Sequence, residues 1–164
     1  MKKLKIYLDT SVINHLFADD APDAMQKTID LFNSFIKTNI YETYVSPIVI
    51  DEINKTKDDL KKSKLLSVIT DYNLSILNIE ENIQEIMHLA QIYIEQEIIP
   101  RKKIEDALHI AISSIYEIDA LVSWNYKHMA NIYKERKIIS MNINEGYLHT
   151  LRICTPMEVM YDNE

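Results

Sequence analysis

Apolar and polar positions alternate at the start of the chain. Leu4-Lys5-Ile6-Tyr7-Leu8 reads as a β-strand of period two, ending at Asp9-Thr10-Ser11, residue types that start helices, ahead of Val12-Ile13-Asn14-His15-Leu16-Phe17. Pro22 opens a helix with the stripe Met25, Ile29, Phe32 and Ile36. Tyr41 to Val45 is a second strand, and Ser46-Pro47, a good N-cap followed by proline at the first helical position, leads into a helix over Ile48 to Asn54. Asp58 to Tyr72 follows as a helix and Leu74 to Leu77 as a short strand. A helical stripe of Ile83, Ile86, Met87, Ala90 and Ile94 runs up to the break at Pro100, and residues 102–116 carry Ile104, Leu108, Ala111 and Ile115 on one face. Ala120 to Ser123 is the next strand, leading through Trp124-Asn125 into a helix with Tyr126, Met129, Ala130 and Tyr133. A helix to about residue 144, a strand over Leu151 to Cys154 and a helical turn from Pro156 complete the pattern.

Strands alternating with helices predict an α/β fold: a central parallel sheet of four to five strands, covered on both faces. No linker, repeat or low-complexity segment divides the 164 residues, so 1–164 reads as a single domain large enough for one core. Gly146 is the only glycine, where average usage would give about eleven. A glycine-rich phosphate cradle or dinucleotide turn is therefore excluded. Cys154 stands alone, which rules out an intramolecular disulfide or a cysteine-based zinc cluster and suits a reducing compartment. Lys5, Asp9 and Asn14 interrupt any signal-like stretch after Met1-Lys2-Lys3, and no run has the length of a membrane span. The expectation is a soluble, cytoplasmic protein with no membrane partner.

Eighteen Lys and Arg face twenty-five Asp and Glu, a net charge of −7, which is not the footprint of a protein that holds nucleic acid by bulk charge. Individual acids are more informative. Open parallel sheets bind ligands beyond the carboxyl ends of their strands, where Asp9 ends the first strand and Asn125 follows the fourth. Taken alone, Asp9 reads first as a helix N-cap. Glu52 projects inside the apolar arc of Ile48, Val49, Ile50 and Ile53, where a carboxylate needs a partner; Asp51 projects outside it. Asp106 shares a stripe with His109 and Ser113, opposite the Ile104 face. That stripe is a solvated surface by default, or else it turns Asp106 toward the same crevice; His109 is not expected to be a ligand.

Four segments, in order, resemble a PIN domain: Tyr-Leu-Asp9-Thr-Ser, Ser46-Pro47-Ile-Val-Ile-Asp-Glu52-Ile, Glu-Asp106-Ala-Leu-His109-Ile-Ala and Leu-Val-Ser-Trp124-Asn125-Tyr-Lys-His128. The resemblance spans nearly the whole chain and is closest to VapC-type toxins of toxin–antitoxin pairs and their free-standing relatives. It implies a three-layer α/β/α fold and a metal-dependent ribonuclease, with a small antitoxin and a second copy of the chain as partners. The family's acidic cluster falls on Asp9, Glu52 and Asp106. Its fourth position, usually Asp, is Asn125 here, which removes one negative charge.

The chemistry implied is carboxylate-plus-metal. Hard oxygen ligands suit Mg²⁺ or Mn²⁺, with Asp9 and Asp106 holding the cation, Asn125 completing or orienting its shell, and Glu52 positioning or deprotonating water. Thr10 and Ser11 are expected to contact phosphate or to cap the helix. Five lysines against two aspartates over residues 55–64, including Lys55 and Lys57, and the run Arg101-Lys102-Lys103 flank the segments bearing Glu52 and Asp106, so these are the expected RNA-facing runs; Lys134, Arg136 and Lys137 form a third. Trp124 reads as core packing before base stacking. An aspartyl-phosphate phosphatase needs a second Asp where Ser11 stands, and the paired acids of a receiver domain are missing. The remaining rival is a PIN-like module that binds RNA or protein without cutting, with Asn125 as its main support.

Overall fold

A computed structural model describes residues 2–162; Met1, the first residue of the chain's basic start, lies outside them. The strands β1 (Lys5–Leu8), β2 (Glu42–Val45), β3 (Ser75–Ile76), β4 (Ala120–Val122) and β5 (Arg152–Cys154) form one parallel sheet in the order β3-β2-β1-β4-β5. The register sets Tyr7 beside Tyr44 of β2 and Leu121 of β4. Ile6, Tyr7 and Leu8 are fully buried, as expected for a central strand covered on both faces. The connections are α1 (Thr10–His15), α2 (Pro22–Leu31), α3 (Pro47–Asn54), α4 (Asp59–Asp71), α5 (Ile83–Glu95), α6 (Ile104–Ile115) and α7 (Ile132–Asn144). The fold is the helix-flanked α/β architecture that the sequence pattern predicted, with five strands.

Three helical expectations change. α5 buries Ile86, Leu89, Ala90, Tyr93 and Ile94 but exposes Met87, because the face that packs on α6 is rotated from the predicted stripe. α6 packs against α5, α3 and β4. It therefore buries His109, Ser113 and Ser114 together with Ala107, Ile110 and Ile112, and leaves Ile104 exposed. The His109–Ser113 stripe is interior, not solvated. Finally, residues 126–130 form turns, and α7 starts at Ile132 because the Asn131 side chain caps it by accepting the Lys134 N–H. Among the described residues, no helix is long and apolar enough to cross a membrane.

With one glycine available, helix ends use other residues in the left-handed region. After α4, α5 and α6 the chain turns through Asn73, Glu97 and Glu117 at φ 51°, 57° and 54°. Each end carries a paired return of backbone hydrogen bonds, such as Ile118 N–H to Ser113 O at 2.9 Å. Gly146 fills the same position after α7.

Candidate active site

Asp9 leaves the sheet at the carboxyl end of β1 and enters α1 as its N-cap. Its Oδ1 accepts from the Val12 N–H at 3.3 Å and the Ser11 hydroxyl at 2.5 Å, and its Oδ2 accepts from the Ser123 hydroxyl at 2.5 Å. One side chain therefore caps α1 and stands at the carboxyl end of the central strand. Asp9 is 3 % exposed; burial raises its pKa, against the lowering effects of His109, the two serine hydroxyls and the Val12 N–H. The serines are fixed in turn: Ser11 Oγ accepts the Trp124 N–H at 3.0 Å, and Ser123 Oγ accepts the Asn125 N–H at 3.0 Å.

Glu52 comes from α3, whose start is set by the Ser46 cap and Pro47. Its Oε1 accepts from Thr10 Oγ1 at 2.8 Å and meets His109 Nε2 at 2.5 Å. Burial alone would raise the Glu52 pKa, but the hydrogen bond and charge of His109, the Thr10 hydroxyl and Lys55 outweigh it, and Glu52 is held below the ordinary carboxylate value. Thr10 and Ser11 thus commit their hydroxyls to Glu52 and Asp9. His109 is 1 % exposed, and its Nδ1 lies 2.7 Å from the Tyr7 hydroxyl, itself 2.6 Å from Ser46 Oγ.

Asp106 lies half-buried in the first turn of α6, with Oδ2 accepting from Asn125 Nδ2 at 2.9 Å. Asn125 Oδ1 accepts the His128 N–H at 3.0 Å. Burial pushes the Asp106 carboxyl up to about 6, with the Asp9 and Glu52 charges adding to the rise and His109 and Lys103 opposing it. Asp9, Glu52 and Asp106 therefore share one electrostatic neighbourhood. Among the described residues, none of the three carboxylates has a lysine or arginine ion pair, and no three His, Cys, Asp or Glu side chains form a ready-made cation group.

The basic runs separate on the surface. Lys55 pairs with Glu105 at 3.2 Å, and Lys57 is exposed. Lys61 and Lys64 line a groove with Asp19, Asp20 and Asp58. Arg101, Lys102 and Lys103 are exposed in the turn before α6. Arg101 shares a cleft of about 490 Å³ with Lys127, His128 and Lys134, alongside Glu95 and Glu97. Trp124 is core: its Nε1 donates to Thr28 Oγ1 at 2.9 Å, and its ring packs on His15.

Of the polar partners, the sequence pattern read Ser46 only as a helix cap and His109 only as a non-ligand on the Asp106 stripe, and it assigned no role to Tyr7 or Ser123. One signal was available for Tyr7, since a tyrosine in a central strand buries its hydroxyl and must find it a partner.

No protein-family model and no curated protein matches the chain. Among solved structures, it is similar to a chain in the crystal structure of VapBC2 from Rickettsia felis bound to a DNA fragment from their promoter. The likeness has a TM-score of 0.57 at 16% identity and covers 93% of this chain and 98% of that one. At that identity it establishes shared architecture alone.

Proposed function

We propose that this chain is a metal-dependent endoribonuclease that hydrolyses RNA phosphodiester bonds, acting in the cytoplasm as the toxin of a toxin–antitoxin pair. The observation that supports the reading is that the charges of Asp9 and Glu52 both bear on Asp106, three acids from three separate elements, with no lysine or arginine ion pair to any of them among the described residues. A half-buried carboxyl pushed to about 6 by its burial, with the Asp9 and Glu52 charges adding to the rise, is an acid that a cation beside it would favour in its ionised form. That donor set fits Mg²⁺ or Mn²⁺, which bind through one or two carboxylates and keep several waters and a substrate phosphate. Asp9 and Asp106 would hold the ion, which supplies Lewis acidity toward phosphate and a lowered pKa for bound water.

The remaining roles belong to the chain. Asn125 steadies Asp106 through its amide N–H and is itself fixed by His128, so it orients the shell. Ser11 and Ser123 steady Asp9, and Thr10 steadies Glu52. Glu52, kept ionised, positions the attacking water or accepts its proton. Of the basic residues, Arg101 and Lys102 are the preferred phosphate contacts, with Lys57 exposed nearer α3 and Lys55 competing with its Glu105 pairing.

The toxin assignment rests on the resemblance to VapC-type toxins and on the likeness to a VapBC2 assembly. A small antitoxin and a second copy of the chain are the proposed protein partners; Ile83 and Met87, one turn apart and exposed on α5, are apolar surface available to one of them. The second reading, a PIN-like module that binds without cutting, is favoured by Asn125, whose amide takes the place of a fourth carboxylate. Incubating pure protein with a structured RNA and Mn²⁺ separates the two. The nuclease reading expects cleavage that is lost with chelator and in Asp9→Asn, whereas binding without cleavage supports the module.

A further inference from the structure

Glu52 is gripped by one oxygen. Thr10 and His109 both engage Oε1, and Oε2 has no hydrogen-bond partner among the described residues. Behind His109 runs a closed line of polar atoms through the core: Nδ1 to the Tyr7 hydroxyl at 2.7 Å, that hydroxyl to Ser46 Oγ at 2.6 Å, and Ser46 Oγ accepting the Ile48 N–H at 3.2 Å. Tyr7 and Ser46 are wholly buried and His109 is 1 % exposed. The line crosses three elements, from the cap of α3 through β1 to α6.

Counting donors fixes the end of the line at Glu52. An ionised Glu52 only accepts, so His109 Nε2 carries a hydrogen and donates to Oε1. Nδ1 meets the Tyr7 hydroxyl, as acceptor when the ring is neutral and as donor when it carries the charge that Glu52 favours by raising the His109 pKa against its burial. Ser46 accepts from the Ile48 N–H, and in the neutral-ring arrangement it donates its own hydrogen to the Tyr7 oxygen. With the ring neutral, every buried donor in the line has an acceptor and none is left over, and with either charge Nε2 carries the hydrogen given to Glu52. An apolar trio would pack this space without any such demand, so what the polar line adds is a fixed orientation for the one group at its open end.

We propose that His109, backed by Tyr7 and Ser46, is a positioning residue: it locks Glu52 through Oε1, so that Oε2 is the oxygen presented to the attacking water. This rests on the nuclease reading only for the role of Glu52; the lock itself is a separate claim.

The test has two arms. In the first, nuclear magnetic resonance of ¹⁵N-histidine-labelled protein should show a slowly exchanging His109 Nε2–H that persists in Asp106→Asn and is lost in Glu52→Ala. Its absence from the wild type, or its survival in Glu52→Ala, overturns the lock. In the second, RNA cleavage with Mn²⁺ is measured for His109→Leu, His109→Gln, Tyr7→Phe and Glu52→Gln. His109→Leu should lower kcat about 10- to 100-fold, the range for outer-shell partners, with KM little changed. It should add nothing in the Glu52→Gln background. His109→Gln, whose amide can donate to Glu52 and accept from Tyr7, should recover most of the activity, and Tyr7→Phe should fall between. Effects of His109→Leu and Glu52→Gln that simply multiply overturn the proposal, as does a His109→Leu protein of native stability with undiminished kcat. If no variant, the wild type included, cleaves RNA, the nuclease reading fails while the first arm still decides the lock.

Discussion

Asp106 sits where its own burial and the charges of Asp9 and Glu52 all oppose ionisation, and its carboxyl is pushed from 3.8 to about 6. In the metal-free protein, a folded-state pKa above the unfolded value means the fold holds the proton more tightly. The ionised form then costs stability above about pH 6, a cost that shrinks as pH falls toward 3.8. Asp106→Asn removes that cost. The variant should melt higher than wild type in chelator at about pH 7, with the gap closing toward about pH 4. Mn²⁺ should raise the Tm of the wild type and not that of Asp106→Asn. A variant that melts lower at pH 7 while keeping the Mn²⁺ shift would contradict the cation role. At this scale the sequence reveals acids better than their partners. Asp9 is legible because it ends a strand, and Glu52 because it interrupts an apolar arc. His109 is not, because Ile104, Leu108 and Ile115 suggest a core face on the wrong side of α6. A helix covered on several sides hides its polar residues from a one-sided periodicity.

Among the elements, the strands were legible nearly to the residue, since each is a short run rich in apolar and β-branched residues bounded by turn or capping residues, although β2 is mostly half-buried and β3 is exposed. The starts of α3 and α1 were legible for the same reason: Ser46-Pro47 and Asp9 are local signals that tertiary context does not override. The start of α7 was missed because Tyr126, Met129, Ala130 and Tyr133 imitate helical spacing across a turn, and Asn131 decides the boundary. The helix C-termini give an element-scale prediction. Glu117 is exposed and turns α6 out at φ 54°, a conformation costing a non-glycine residue about 1–2 kcal/mol. Glycine is free of that strain but loses about 0.5–1 kcal/mol to its more flexible unfolded chain. Glu117→Gly should therefore stabilise by about 1 kcal/mol and raise Tm by about 2–4 °C, read by calorimetry. No change or a fall in Tm would show that the turn is relaxed by interactions of the glutamate itself.

Over the whole molecule, the net charge of −7 means that the proposed RNA substrate would have to be met by local positive charge. The folded arrangement separates runs that look alike in sequence. Lys61 and Lys64 share their groove with Asp19, Asp20 and Asp58, whereas Arg101, Lys127 and Lys134 lie together beside the turn that carries Asn125, opposed by Glu95 and Glu97. That convergence joins residues more than twenty positions apart, which no local reading supplies. Binding of a single-stranded RNA to Asp9→Asn in chelator should weaken with salt, and Arg101→Glu with Lys127→Glu should flatten the log–log slope by about 0.7 for each phosphate no longer neutralised. Lys61→Glu with Lys64→Glu should leave the slope unchanged. The reverse pattern would move the RNA path to the α4 side.

The central claim is that Asp9, Glu52 and Asp106 work together on a phosphodiester with a divalent cation. The most direct measurement is the cleavage rate of a structured RNA by the purified chain, in Mn²⁺ and in chelator, for wild type and for Asp9→Asn, Glu52→Gln and Asp106→Asn. Cleavage by wild type in Mn²⁺ alone, abolished by each substitution without unfolding, is the predicted result. Cleavage that survives in chelator or in Asp9→Asn, or no cleavage by wild type with Mn²⁺ present, would contradict it.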